Sequence, residues 1–340
     1  MRQMLLLCAV FVLCAPSVSQ AAMLYLDPPR ETLQQGDATI LSVRLDVDRA
    51  SGICVNTADV TVTYPESVQA VDVTTRHSIF PLWVERPEID TERNRVTFAG
   101  GIPNGYCGRI EGDPGLTNVL AEIVFRPAQP TGDPADDHSF VVADIEIDPQ
   151  SVLLLNDGLG TVINPDRQGA TIDVFATEGA QLRDPWREIV QADTTPPEPF
   201  SIQLDRDPNV FRGDYFITFN TTDKQSGIAT FEVMEEPLSE QHYFRFGAVG
   251  APWVEAQSPY RLKDQTLNST IRVRATDKAG NEYIATLVPD PSLRTRVIQP
   301  HEWISMFAGG VLFLGGLLWL YYRRVRQTAP ETRSANDSSL

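Results

Sequence analysis

The sequence predicts a mainly β protein: two β-sandwiches in series, followed by one C-terminal transmembrane helix. Three observations predict it. Apolar and polar residues alternate along most of the chain, turn residues break the alternation at short intervals, and one uncharged apolar run fills 303–322. Alternation of period two places one face of a strand in a core, whereas a helix would need spacing of three and four.

The chain opens with Met1-Arg2-Gln3, an apolar run Met4–Ala15 and the small or polar residues Pro16–Ala22. A charged start, a short apolar stretch and small residues at Ser19 and Ala21 predict a cleaved secretory signal over 1–21. The run falls short of the about 20 residues a membrane helix needs. A lipid-anchor reading is disfavoured because Cys8 and Cys14 each follow a leucine, where a small residue is wanted.

A first β region covers 23–175. Its strands are expected at Thr39–Val47, Asp59–Tyr64, Val68–Val73, Arg95–Ala99, Leu120–Arg126, Ser139–Ile147 and Ala170–Val174. Turns are expected at Tyr64-Pro65-Glu66, Gly100-Gly101 and Asn156-Asp157-Gly158. This rhythm predicts a sandwich or jelly roll. The pattern then breaks over 176–199, which ends in Thr195-Pro196-Pro197-Glu198-Pro199 and reads as a stiff, Pro-rich linker. A short helix is expected at Leu182–Val190.

A second β region covers 200–290, with strands at Phe200–Leu204, Tyr215–Asn220, Ile228–Glu235, Thr270–Thr276 and Tyr283–Val288. The run 303–322 follows, flanked by Trp303 at one end and by Trp319, Tyr321 and Tyr322 at the other. Twenty helical residues rise about 30 Å, the thickness of the hydrocarbon core. Arg323, Arg324 and Arg326 come next and mark the cytoplasmic side, making 323–340 a short inner tail. The expected arrangement is a single-pass, type I protein of the cell membrane, with most of the chain extracytoplasmic. Ser305, Gly309 and Gly316 could share a face of the helix, but no G-x-x-x-G is present.

Residues 22–302 carry 43 acidic and 23 basic side chains, a net charge of −20. Such a surface repels phosphates and excludes a nucleic-acid partner. Two cysteines remain outside the signal, Cys54 and Cys107. In an oxidising compartment they read as one disulfide, with two buried free thiols as the alternative. The four histidines are scattered and no C-x-x-C occurs, so no transition-metal site is expected. Nucleophile-elbow, zinc-helix, phosphate-loop and dinucleotide motifs are also absent. No enzyme activity is expected, because no motif selects a catalytic pair among so many acids. No cofactor is expected either. The one ion suited to the acidic loops is a structural Ca²⁺, with Asp46, Asp48, Asp136 and Asp137 as candidate ligands beside their ordinary reading as exposed loop acids. Asn156-Asp157-Gly158 lacks the further acids of a helix-loop-helix Ca²⁺ site and reads as a hairpin turn. Trp83, Tyr106 and Trp253 could stack on sugars, although each also suits a core or a loop anchor.

Several segments in order resemble a known family. They are Leu26-Asp27-Pro28, Ile40–Val47, Ala58–Pro65, Val96-Thr97-Phe98-Ala99-Gly100, Leu120–Phe125 and Val152–Thr161, the last containing Asn156-Asp157-Gly158-Leu159-Gly160. Together, 23–175 resembles a cohesin domain, the jelly-roll module of cellulosomal scaffolds. The two cysteines and the long Ile102–Gly115 loop depart from the commonest cohesin pattern. Asp193–Pro197, Thr222–Ile228, Ser258-Pro259-Tyr260 and Ala275–Glu282 resemble bacterial immunoglobulin-like modules.

These resemblances imply a cohesin-like sandwich held off the membrane by an immunoglobulin-like one. The implied function is non-catalytic binding at the cell surface. A sheet face would be presented to an extracytoplasmic protein module, dockerin-like, or to carbohydrate in polysaccharide catabolism. The alternative is a structural stalk or envelope-assembly protein without a dedicated ligand. No residue of a binding face can be named from the sequence.

Overall fold

The computed structural model describes residues 22–109, 112, 117–128, 140–179, 181–238, 251–294 and 300–327. The expected signal, Asp136-Asp137 and the tail beyond 327 lie outside the described residues. The chain is mainly β.

The first unit holds β1 (Ala22–Asp27), β2 (Arg30–Gln35), β3 (Thr39–Val47), β4 (Val55–Thr63), β5 (Val68–Thr74), β6 (Leu82–Asp90) and β7 (Arg95–Tyr106). It continues with β8 (Val119–Pro127), β9 (Phe140–Ile147), β10 (Val152–Leu155), β11 (Val162–Ile163), β12 (Asp166–Gln168) and β13 (Ala170–Glu178). One sheet runs β12-β1-β3-β8-β5. The other runs β11-β10-β4-β9-β13-β2, with β7 paired to β4 and β6 to β7. Pairing is antiparallel except for β1 with β12 and β13 with β2.

Alternation builds the core between these sheets. Ala58, Val60 and Val62 of β4 and Phe98 of β7 point inward against Leu41, Val43 and Leu45 of β3 and Ile123 and Phe125 of β8, all wholly buried. Strands β3 and β8 are buried on both faces. Part of the cause is α1 (Pro185–Ala192), which lies on the outer face of that sheet and packs Trp186 against Ala38 and Val124, with Ile40, Ile189 and Val190 at the margin, while Arg76 and His77 cover Glu122 and Asn118 meets Arg44. Asp184 caps α1 by accepting from the Arg187 amide at 2.9 Å, and Arg126 on β8 pairs with the same carboxylate at 2.6 Å.

The second unit holds β14 (Gln203–Arg206), β15 (Tyr215–Thr218), β16 (Ile228–Pro237), β17 (Val254–Glu255), β18 (Tyr260–Arg261), β19 (Ser269–Asp277) and β20 (Glu282–Leu287). Its sheets are β14-β15-β18 and β17-β16-β19-β20. Ile217, Phe219, Phe231, Val233, Ile271 and Val273 fill the space between them.

Three expectations need correction. Gly100-Gly101 is not a turn but the middle of β7, facing Ala58 and Thr57 of β4. Glycine is required at 100 because a Cβ there would enter the Phe80 ring. The short helix begins at Pro185, not Leu182, since Asp184 caps it and proline suits its first turn. The strand expected at Phe200–Leu204 is Gln203–Arg206.

Residues Pro300–Gln327 form the helix α2. Among the described residues no helix is long and apolar enough to cross a membrane. The side chains of α2 are described only over 307–324, a window that includes Arg323 and Arg324.

Candidate functional site

The two sheet faces of the first unit differ. The outer face of β3 and β8 is covered in part by α1 and, around Glu122, by Arg76 and His77, and the edge strand β5 meets the second unit. Among the described residues, no helix covers the outer face of β4, β7 and β9. Thr57, Thr61 and Thr63 of β4 and Thr97 of β7 are half-buried only by their neighbours, while Asp59 is exposed. The register sets Thr61 beside Thr97 and Thr63 beside both Arg95 and Glu146. Glu88 of β6 lies opposite Thr97, and Val142, Asp144 and Glu146 stand exposed along β9. Cross-strand partners share a face. The result is a threonine-rich surface with acids around it and one arginine within it.

The units meet at a polar joint. The Thr74 hydroxyl donates to the Ser226 carbonyl at 2.8 Å. The Lys278 ammonium pairs with Asp72, which also accepts from the Trp186 indole at 3.0 Å. Asn220 donates its amide to the Pro81 carbonyl, and the Arg86 guanidinium lies 4.5 Å from the Phe231 ring centre. Gly227 has φ of 87° and sits so close to Thr74 that a side chain would collide with its hydroxyl. Behind the joint on β8, Glu122 accepts from Arg76 at 2.7 Å and from His77 at 3.3 Å. Burial works to raise this carboxyl, but the His77 and Arg76 hydrogen bonds and charges outweigh it and hold it at about 2.

Beside the joint a cleft of about 730 Å³ opens, lined by Leu82, Trp83, Val84, Phe200, Phe219 and Pro259 among others. Among the described residues, no carboxylate, histidine, cysteine or lysine lines it. Ser201, Gln203, Thr218, Asn220 and Ser258 add neutral polar groups to this apolar lining.

The residues singled out by sequence do not converge. Trp83 lines the cleft and meets Phe80 edge-on, with ring centres 5.2 Å apart. Tyr106 packs against the first core. Trp253 lies 4.6 Å from the Arg274 guanidinium, so its ring is already stacked. Asp48 caps a short 3₁₀ turn through the Ala50 amide at 2.9 Å, and Asp46 accepts from the Val47 amide. Asp157 accepts from the Thr161 hydroxyl and from the Leu159 amide at 2.8 Å, which holds its carboxyl below the usual range and makes this segment a turn between β10 and β11. Cys54 and Cys107 form a disulfide. The open sheet face was not nameable from sequence, because alternation shows which side chains leave a core and not what covers them. The joint's hydrogen bonds join residues 139 to 206 positions apart, and no periodicity reports such pairs.

No protein-family model matches the chain, and no curated protein does. Among solved structures, the chain is similar to a chain of a type I cohesin–dockerin complex from Clostridium thermocellum, at 11% identity and TM-score 0.35, over 46% of this chain and 94% of that one. It is similar to the cohesin module of a family 33 glycoside hydrolase from Clostridium perfringens, at 10% identity and TM-score 0.32, over 46% of this chain and 96% of that one. It is also similar to the major pilin subunit of Bacillus cereus, at 7% identity and TM-score 0.25, over 82% of this chain and 68% of that one.

Proposed function

We propose that this chain is a membrane-anchored, non-catalytic binding protein whose first sandwich presents the outer face of β4, β7 and β9 to an extracytoplasmic protein module. One observation carries the proposal: among the described residues, α1 packs on one of the two outer sheet faces and no helix packs on the other. The ordered segments that resemble cohesins imply a dockerin-like partner. The exposed acids Asp59, Glu88, Asp144 and Glu146 call for a partner surface with basic and hydroxyl groups. A non-catalytic role agrees with the cleft, whose described lining residues include no acid or base.

Anchoring rests on α2. From Phe307 to Tyr322 its large apolar side chains are exposed all round, Leu312 and Phe307 each at 76%. A helix apolar on every side needs an apolar surrounding. With 303–306 added, the uncharged run reaches the length of a span. Alkaline extraction of intact cells should leave the full chain in the membrane pellet, and deleting 300–327 should release it.

Binding is tested with the full chain in detergent micelles, offered secreted proteins and a glycan array. Asp59→Arg combined with Thr61→Arg should weaken capture of a partner protein by about tenfold or more. Glu188→Arg, on the exposed side of α1, should leave capture unchanged. Equal loss from both changes, capture of sugars alone, or cross-linking in cells only to itself and envelope neighbours would each defeat the reading. The last result would favour a stalk.

A further inference from the structure

Three carboxylates converge beneath the joint. Asp193 follows the last turn of α1, Asp223 opens the turn before β16, and Asp277 ends β19. One oxygen of each lies within 4.8 Å of the other two. The residues are 6%, 3% and 2% exposed, respectively. Asp223 Oδ1 accepts from the amides of Gln225, Ser226 and Gly227 at 2.8–3.0 Å. Asp193 accepts from the amides of Thr195 and Ser226, and Asp277 from the amide and side chain of Asn281. All these donors are neutral.

Among the described residues no lysine, arginine or histidine forms an ion pair with any of the three. The cations beside them in sequence are engaged elsewhere, Lys224 with Glu198 and Lys278 with Asp72. Three like charges out of water, with only dipoles for partners, are strongly unfavourable. A second observation points the same way. The Ser226 hydroxyl is wholly buried and has no hydrogen-bond partner, although buried hydroxyls nearly always find one. That oxygen is three bonds from the amide that serves both Asp193 at 3.1 Å and Asp223 at 2.8 Å.

We propose that Asp193, Asp223 and Asp277 bind one Ca²⁺ ion, with the Ser226 hydroxyl as a further ligand. The donors are all hard oxygens, with no nitrogen or sulfur to favour zinc. At a Ca–O distance of about 2.4 Å, oxygens on opposite sides of one ion stand about 4.8 Å apart, so the three carboxylates can share it. The ion would tie the linker, and through α1 the first sandwich, to two turns of the second sandwich. Ca²⁺ would therefore fix the angle between the units, whatever the open sheet face binds.

The test uses the full chain in micelles, stripped with EDTA and desalted. Calcium at a hundredfold excess over its dissociation constant should raise the unfolding midpoint by about 5–10 °C. Calorimetric titration should show one site per chain, and Ca²⁺ should displace bound Tb³⁺. Asp223→Asn and Asp277→Asn should abolish the thermal shift while unfolding in EDTA no earlier than the parent chain. A parent chain that gains nothing from Ca²⁺ would overturn the proposal without any variant. So would an equal response to Mg²⁺, or variants equally weakened with and without Ca²⁺, which would leave the acids a purely hydrogen-bonding role.

Discussion

At the scale of single residues, Glu122 and the cysteine pair carry separable loads. The Glu122 carboxyl sits at about 2 in the folded chain against an ordinary value of 4.5. Its contribution is therefore complete above the ordinary value and is lost as pH falls toward 2, about 3 kcal/mol in all. Glu122→Gln should lower stability at neutral pH by about that much and flatten the loss between pH 5 and 2, as read by denaturant melts across that range. The disulfide joins residues 53 positions apart. Closing such a loop in the unfolded chain is worth roughly 2–4 kcal/mol. Cys54→Ser should lower the melting temperature, and reductant should do the same to the parent chain. The pairing was the sequence's first reading, because only two cysteines lie outside the expected signal over 1–21. The glycine at 100 was misread, since its close approach to Phe80 depends on a contact that sequence does not display.

At the scale of elements, the strongly alternating strands were the legible ones. β3, β5 and β8 agree with expectation within a residue or two. β2 and β6 were not foreseen. Arg30–Gln35 contributes only Leu33 to the core, and Leu82–Asp90 is half-exposed throughout, so neither shows a clean period of two. α1 was foreseen as a short helix, but not its purpose of covering a sheet. Trp186 is its anchor, buried on Val124 and bonded to Asp72. Trp186→Ala should cost about 3 kcal/mol. It should also expose the segment 179–199 to limited proteolysis while the first sandwich stays resistant.

At the scale of the whole molecule, the order of sandwich, linker, sandwich and apolar helix was readable because composition changes at each boundary. The joint was not, because Asp72, Thr74 and Arg76 lie far in sequence from Ser226 and Lys278, which they meet. The same distance hides the acidic triad, whose members come from the linker and from two separate turns. Each acid reads alone as an ordinary turn residue, and only folding brings them together.

The seat of α1 has a mechanical consequence. The helix lies in the chain path between the first sandwich and the proposed anchor, held by a few apolar contacts, the Trp186–Asp72 hydrogen bond and the Arg126–Asp184 pair. A pull between a captured partner and the cell would reach this seat before it reached β13, which is zipped to β2 and β9. Once peeled off, the segment 179–192 could extend to roughly 45 Å. In the proposed anchored arrangement this segment would be a reserve of slack, released under tension without unfolding the first sandwich.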